Sequence, residues 1–252
     1  PNPNHFADIA TLGGGILSAL SSNVLGNSDF YTGAFSAEYG NAVSGVFDMR
    51  LRNGNNQKYE HTFQAGILGI DFASEGPFSK KHNSSYIFNY RYSTTSLFDK
   101  LGGDMDDQKM DYQDLNFKMN FPTKSAGTFS VWGTALIDKF ENKPEKDTDK
   151  WESFGDRSRA ESKQTSVAGG LNHRYFFSND ASLKTGIAVT YAKSNLYRDL
   201  IDYSSNITPY LKSENKYTNL VAQSAFNKKF SSRFTNTTGF TYTKMFYDTY
   251  LN

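Results

Sequence analysis

From Tyr59 to the last residue, polar and apolar side chains alternate in one short run after another. No other feature constrains the fold as much. Successive residues of a strand point to opposite faces, so a period of two describes strands with one apolar face. Phe63, Ala65 and Ile67 share such a face, and Ile70 and Phe72 follow after a tight bend near Leu68-Gly69. Tyr86, Phe88, Tyr90 and Tyr92 come next, then Leu115, Phe117, Met119 and Phe121 interleaved with Asn116, Lys118 and Asn120. Phe129, Val131, Gly133, Ala135 and Ile137 form a weaker face, because Trp132 and Leu136 stand opposite. Val167, Leu171, Tyr175 and Phe177 precede Leu183, Ile187, Val189 and Tyr191. The last two runs carry Leu220, Ala222 and Phe226, and then Phe234, Phe240, Tyr242 and Phe246. The pattern predicts nine strands of about ten to eighteen residues.

The connections are sorted by length. Short turns at Ser79–Asn83, Pro122–Gly127, Ser178–Asp180 and Ser231–Ser232 alternate with long loops at Leu97–Asp111, Glu141–Glu161 and Asp199–Asn215. Brief turns at one end and long loops at the other are the habit of outer-membrane barrels. Strands of this length reach or exceed the ~9–11 residues that cross a membrane with tilt. A soluble sandwich prefers ~5–6 residues per strand and has no reason to sort its loops. Aromatic residues crowd the predicted turn side (Tyr175, Phe176, Phe177, Phe226, Phe230 and Phe234). They read either as an interfacial girdle or as ordinary edge packing.

Composition agrees. The chain of 252 residues is 37% hydrophobic, too polar for a bundle of membrane helices, yet 15% aromatic. No stretch approaches the ~18 consecutive apolar residues of a spanning helix. A barrel reconciles the two figures, because only every second residue faces lipid and the others face a wet lumen. A net charge of +1 gives no sign of nucleic acid, and the absence of cysteine removes disulfide and thiolate chemistry.

Ahead of the alternating region lies a glycine-dense stretch, Phe30 to Gly54, with Gly33, Gly40, Gly45 and Gly54 inside it and Gly26 just upstream. Glycines at this density mark sharp turns or close backbone approach. Residues 1–29 read as loop, with one or two helical turns around Ile16–Leu25. The run Gly13-Gly14-Gly15 lacks the strand, Lys and helix start of a phosphate loop. The first residues, Pro1-Asn2-Pro3-Asn4-His5-Phe6, carry no features of a signal peptide, and the chain is expected to be a piece of a longer protein.

With a barrel in view, Asp29–Arg52 resembles the end of the plug domain of TonB-dependent outer-membrane receptors. The matching positions are Glu38, Tyr39-Gly40, the small-residue linker Asn41 to Ser44, Gly45-Val46 and Phe47-Asp48-Met49-Arg50. The wider form AEYGNAVSGVFDMRLRNGN, preceded by NPNHFA and a glycine run, is similar to the Bacteroidetes-type branch, whose members often carry a carboxypeptidase-regulatory-like domain. The fold then expected is all-β: a partial transmembrane antiparallel up-and-down barrel of about nine strands, preceded by the end of a small α+β plug. Residues 1–56 form the plug portion and 57–252 the barrel portion, with nine of the family's roughly 22 strands present. The resemblance implies uptake of a scarce ligand (an iron–siderophore chelate, cobalamin, an oligosaccharide or a peptide) using energy from a TonB complex. Outer-membrane lipid and a surface lipoprotein are the other partners it implies.

Charged groups at the plug end, Glu38, Asp48, Arg50 and Arg52, have candidate lumen partners in Glu75, Arg91, Lys118 and Lys184. They read equally as solvated charges beside a wet lumen. Trp151 and Phe154, in a loop of mixed charge, are candidate ligand contacts. Other chemistry finds little support. His5, His61, His82 and His173 are scattered, so no local metal motif is predicted. The stretch Asp104–Asp111 fails the EF-hand template, with Lys109 where glycine is needed and Leu115 where a bidentate Glu is needed. No nucleophile elbow occurs, so neither an enzyme nor a cofactor is expected. A passive porin or structural outer-membrane barrel, and an outer-membrane enzyme such as a protease or lipase, are the rival readings. The first has no use for the plug-like segment, and the second needs catalytic groups that the scattered histidines do not supply.

Overall fold

The computed structural model describes residues 2–7, 15, 17–33, 35–40, 44–67, 69–95, 108–145, 147–204 and 206–252. Four short strands come first: β1 (Asn4–His5), β2 (Leu17–Ser18), β3 (Asp29–Tyr31) and β4 (Val46–Asp48). They pair as two small antiparallel hairpins, β1 with β2 and β3 with β4. Nine further strands follow: β5 (Glu60–Ala65), β6 (Gly69–Ser79), β7 (Ser84–Ser93), β8 (Gln108–Pro122), β9 (Thr128–Asn142), β10 (Ser158–Ser178), β11 (Ala181–Ile201), β12 (Ile207–Lys229) and β13 (Thr235–Leu251). They form one nine-stranded sheet in chain order, each antiparallel to the next. The fold is therefore all-β, an up-and-down sheet that is not closed: β5 and β13 are its two free edges.

Register makes the alternation continuous across the sheet. One row runs Phe63, Phe72, Tyr90, Leu115, Ala135, Val167, Tyr191, Thr218 and Phe246 on directly paired positions. One residue along, on the opposite face, Asp71, Arg91, Asp114, Leu136, Ser166 and Ala192 form another row. A slip of one residue on any strand would exchange its faces.

Three expectations are corrected. Residues 17–26 contain a short strand, bends, a turn and a bridge, with no helical turn, because Leu17–Ser18 pairs with Asn4–His5 and Leu25 bridges to Leu51. The expected long loop Asp199–Asn215 shrinks to residues 202–206, since β11 and β12 keep pairing to Ile201↔Ile207 through a bulge at Arg198/Asp199. Its polar residues are strand residues, so only two connections at that end, 94–107 and 143–157, are long. Strand length is the third: β10 and β11 have 21 residues and β12 has 23, while β5 has only 6. The expectations at Gly13, Gly14, Asn41 to Val43, Leu68 and most of Leu97–Asp111 lie outside the described residues.

Candidate functional site

The two faces of the sheet invert the usual globular arrangement, in which apolar side chains are buried and polar ones exposed. One face is polar and buried: Asn89, Ser93, Asp114, Asn116, Asp138, Ser162, Gln164 and Ser166 are nearly or wholly inaccessible. The opposite face is apolar and open, with Phe63, Leu115, Ile137, Val167, Leu171, Ile187, Val189, Leu220, Phe240 and Tyr242 all exposed. A shallow apolar groove lined by Val131, Leu171, Ile187, Val189, Leu220 and Tyr242 crosses part of that face. Toward the short connections, aromatic rings pack along it: Phe78 stacks on Phe121 (5.7 Å), Phe129 on His173 (4.3 Å) and Phe230 on Phe234 (5.4 Å), and Tyr175 meets Phe177 edge-on (4.8 Å). Toward the other end the apolar rows stop. There the same face carries the rows Asp111, Lys139, Lys163, Asn195, Glu214 and Lys109, Glu141, Glu161, Tyr197, Lys212.

The polar face is covered by the amino-terminal segment, which is bonded to it at many points. Ser21 Oγ and Asn23 Nδ2 donate to the Asp71 carboxylate, at 3.1 and 3.2 Å. Asn116 Nδ2 donates to the Ala19 carbonyl at 2.7 Å. Ala7 N–H donates to Gln164 Oε1, whose amide donates back to the Asn4 carbonyl. His5 lies between Asp114 and Asp138 with both ring nitrogens 3.1 Å from carboxylate oxygens.

Among the residues singled out from the sequence, Arg52 and Glu75 meet in a two-pronged pair at 2.8 and 2.6 Å, and the Asn55 N–H donates to the same carboxylate. Arg91 donates to Asp114 and to the Ser18 carbonyl, and Lys118 Nζ to the Leu51 carbonyl at 2.7 Å. Lys184 makes no hydrogen bond or ion pair with the segment among the described residues; only its charge reaches Asp48. Asp48 instead takes hydrogen bonds from Arg50 and from the Tyr39 hydroxyl (2.9 Å), and Tyr39 packs on Tyr31. The Arg50 guanidinium, then the Tyr39 hydroxyl, hold the Asp48 carboxyl below its ordinary range despite partial burial. Partial burial and the bond to Asp48 push Tyr39 up to about 12. Glu38, Gly40 and Ser44 are exposed, and Asn41 lies outside the described residues.

Trp151 and Phe154 stay apart from this interface. Trp151 Nε1 donates to the Glu145 carbonyl and its ring packs on Tyr203 at 5.1 Å. Phe154 meets Tyr210 edge-on at 5.3 Å, beneath the Arg198 guanidinium. The loop carrying them is tied by the Asp156 carboxylate, which accepts from the N–H groups of Glu152 and Ser153.

Sequence reasoning missed His5, Asp71, Asp114, Asp138 and Gln164. Four of these sit at alternate positions opposite the aromatic rows, a signal present in the pattern. His5, in a segment without periodicity, had none. No family model, curated protein or solved structure matches the chain.

Proposed function

We propose that the chain is the plug end and first barrel strands of a TonB-dependent outer-membrane receptor, which captures a ligand at its outer loops and imports it through a plugged lumen. One observation carries the reading: the sheet is apolar on its open face and polar on the face that the amino-terminal segment covers. A lipid-facing barrel with a wet, occupied interior has use for that inversion. Dimensions support it. Val167 to Phe177 covers about 33 Å of strand at ~3.3 Å per residue, hence roughly 25 Å of height at the ~35–45° tilt and near the ~25 Å apolar band of such barrels. The charged rows beyond would then stand above the bilayer, and this accounts for strands longer than a membrane needs. The many hydrogen bonds between segment and wall suit a plug that must fill the lumen and still be displaced, since paired polar contacts hold position at uncertain net stability. The ligand class stays open among chelates, cobalamin, oligosaccharides and peptides; the aromatic cluster of Trp151, Tyr203, Phe154 and Tyr210 is its candidate outer contact.

Cysteines placed singly at Leu171, Val189 and Leu220 in the full-length protein test the orientation. In native outer membranes they should react with a lipid-soluble maleimide and resist a charged one, while cysteines at Lys163 and Lys212 should accept the charged reagent. Equal labelling of both sets by the charged reagent would overturn the membrane reading. Uptake of the ligand should vanish without TonB, and deleting residues 1–56 should leave an ungated channel.

A further inference from the structure

His5 is completely buried, and its two ring nitrogens face two different carboxylates: Nε2 lies 3.1 Å from Asp114 Oδ2 and Nδ1 lies 3.1 Å from Asp138 Oδ2. A neutral imidazole has one N–H and one lone pair. With one proton, one of the two contacts would set a lone pair against a carboxylate oxygen in a site closed to water. With two protons, both contacts become charge-assisted hydrogen bonds, about twice as strong as neutral ones. Each neighbouring strand adds to the case. Arg91 on β7 donates twice to Asp114, from Nε at 3.0 Å and from the terminal nitrogen at 2.7 Å. On β9, Asp138 receives the Phe6 N–H at 3.1 Å through the oxygen that meets His5, while its Oδ1 has no partner among the described residues. Tyr112 of β8 packs its ring on His5 at 4.9 Å. Asp71 on β6 pairs in register with Arg91, and Gln164 of β10 is uncharged. Three carboxylates, Asp71, Asp114 and Asp138, and the one guanidinium of Arg91 leave a charge gap that an imidazolium fills.

Phe6, next in the chain, holds φ at 58°, an unusual conformation for a bulky residue, with its ring buried. Such a backbone persists only where its surroundings over-determine it. Here those are the N–H bond to Asp138 and the edge-on packing on Tyr112.

We propose that His5 is a protonated clasp bridging Asp114 and Asp138, and that losing its proton releases residues 2–7 from the sheet. The docking of this segment is thereby pH-dependent. The proposal deepens the plug reading by naming a release point, but the clasp itself requires only the contacts described. Burial alone would lower the His5 pKa, but the hydrogen bonds to Asp114 and then Asp138, with their charges, outweigh it and raise the value above 6.5. The sign follows. A raised folded-state value means that the clasp contributes fully below 6.5 and that its contribution is lost as pH rises through the higher value.

The test is nitrogen NMR of the 15N-histidine-labelled full-length protein in detergent micelles across pH 5–9, with the His5→Gln variant identifying the His5 signals. His5 should show both ring nitrogens protonated at pH 6, and lose a proton only above 6.5. Exchange of the Phe6 and Ala7 amides should rise through that midpoint beyond the intrinsic base-catalysed increase, and His5→Gln should abolish the step. A ring with one protonated nitrogen at pH 6, a midpoint below 6.5, or a step retained in His5→Gln would overturn the clasp. Maleimide labelling and TonB dependence are read independently, so failure of the clasp would leave the transport reading standing, and the reverse.

Discussion

At the scale of single residues, the seam between segment and sheet is set by close approach and by a few charges. Gly54 runs so close to β7 that a Cβ there would sit 1.9 Å from the Tyr86 carbonyl oxygen. Gly54→Ala must push two backbones apart, and overpacking of this kind costs about 1–3 kcal/mol. A lowered midpoint in urea unfolding of the full-length protein in detergent checks this; an unchanged midpoint would mean that the seam is loose. Arg52 keeps 37% of its side-chain exposure while Glu75 keeps 13%. The pair is therefore partly screened by solvent, and Glu75→Gln is expected to cost about 1–2 kcal/mol, less than the ~3–5 of a fully buried pair. Faster proteolysis around residues 50–56 would report that loss. Asp48 behaves oppositely to His5. Its folded-state value is held below 3.8 by Arg50 and Tyr39, so its contribution is present above 3.8 and lost as pH falls through the lower value. The β3–β4 hairpin should therefore loosen only in strong acid, measurable as the onset of fast amide exchange at Phe30 and Phe47; loosening already at pH 5 would contradict the assignment.

At the scale of elements, one strand carries two environments on the same face. On β11, Ile187 and Val189 lie in the apolar belt, while Lys193 and Tyr197 continue the same parity into the charged rows. If lipid covers the belt, Val189→Arg should destabilise the protein by about 2–4 kcal/mol, as cations do near the bilayer midplane of barrels. Asn195→Arg, above the belt on the same face, should change stability by less than about 1 kcal/mol. Refolding midpoints in lipid vesicles separate the two. Equal effects would place the whole strand in one medium. The belt was legible in the sequence because Ile187 and Val189 alternate with Lys184 and Thr190. The reach of β11 and β12 was not. Residues 199–215 are rich in Asp, Ser and Asn, which read as loop, but cross-strand pairing to Ile201↔Ile207 holds them extended.

For the whole molecule, the open sheet matters most. Each edge strand, β5 and β13, offers unpaired backbone groups, and every residue of β13 is exposed. Unprotected edges of this length template pairing with other chains. The 252-residue chain alone in detergent should therefore self-associate and give no stable single-channel conductance. A monomer with cooperative unfolding and a closed pore would overturn the view that this sheet needs further strands. Loop sorting was only half legible at this scale. The short turns stand at one end as read, but two rather than three long connections stand at the other, because a strand's end depends on its neighbour's length.

Alternation, read without any fold, determined the nine strands, their order of faces and the polarity of each, because side-chain direction in a strand follows from backbone geometry alone. It also placed Asn116, Lys118 and Asn120 on the polar face. Tertiary structure decided what that face holds. His5 stands more than a hundred positions from both of its carboxylates in sequence, and no local pattern encodes a contact between an irregular segment and strands that far along the chain. The register of β8 against β9 sets Asp114 and Asp138 two positions apart on the same face, and the segment laid across them supplies His5, whose ring reaches both.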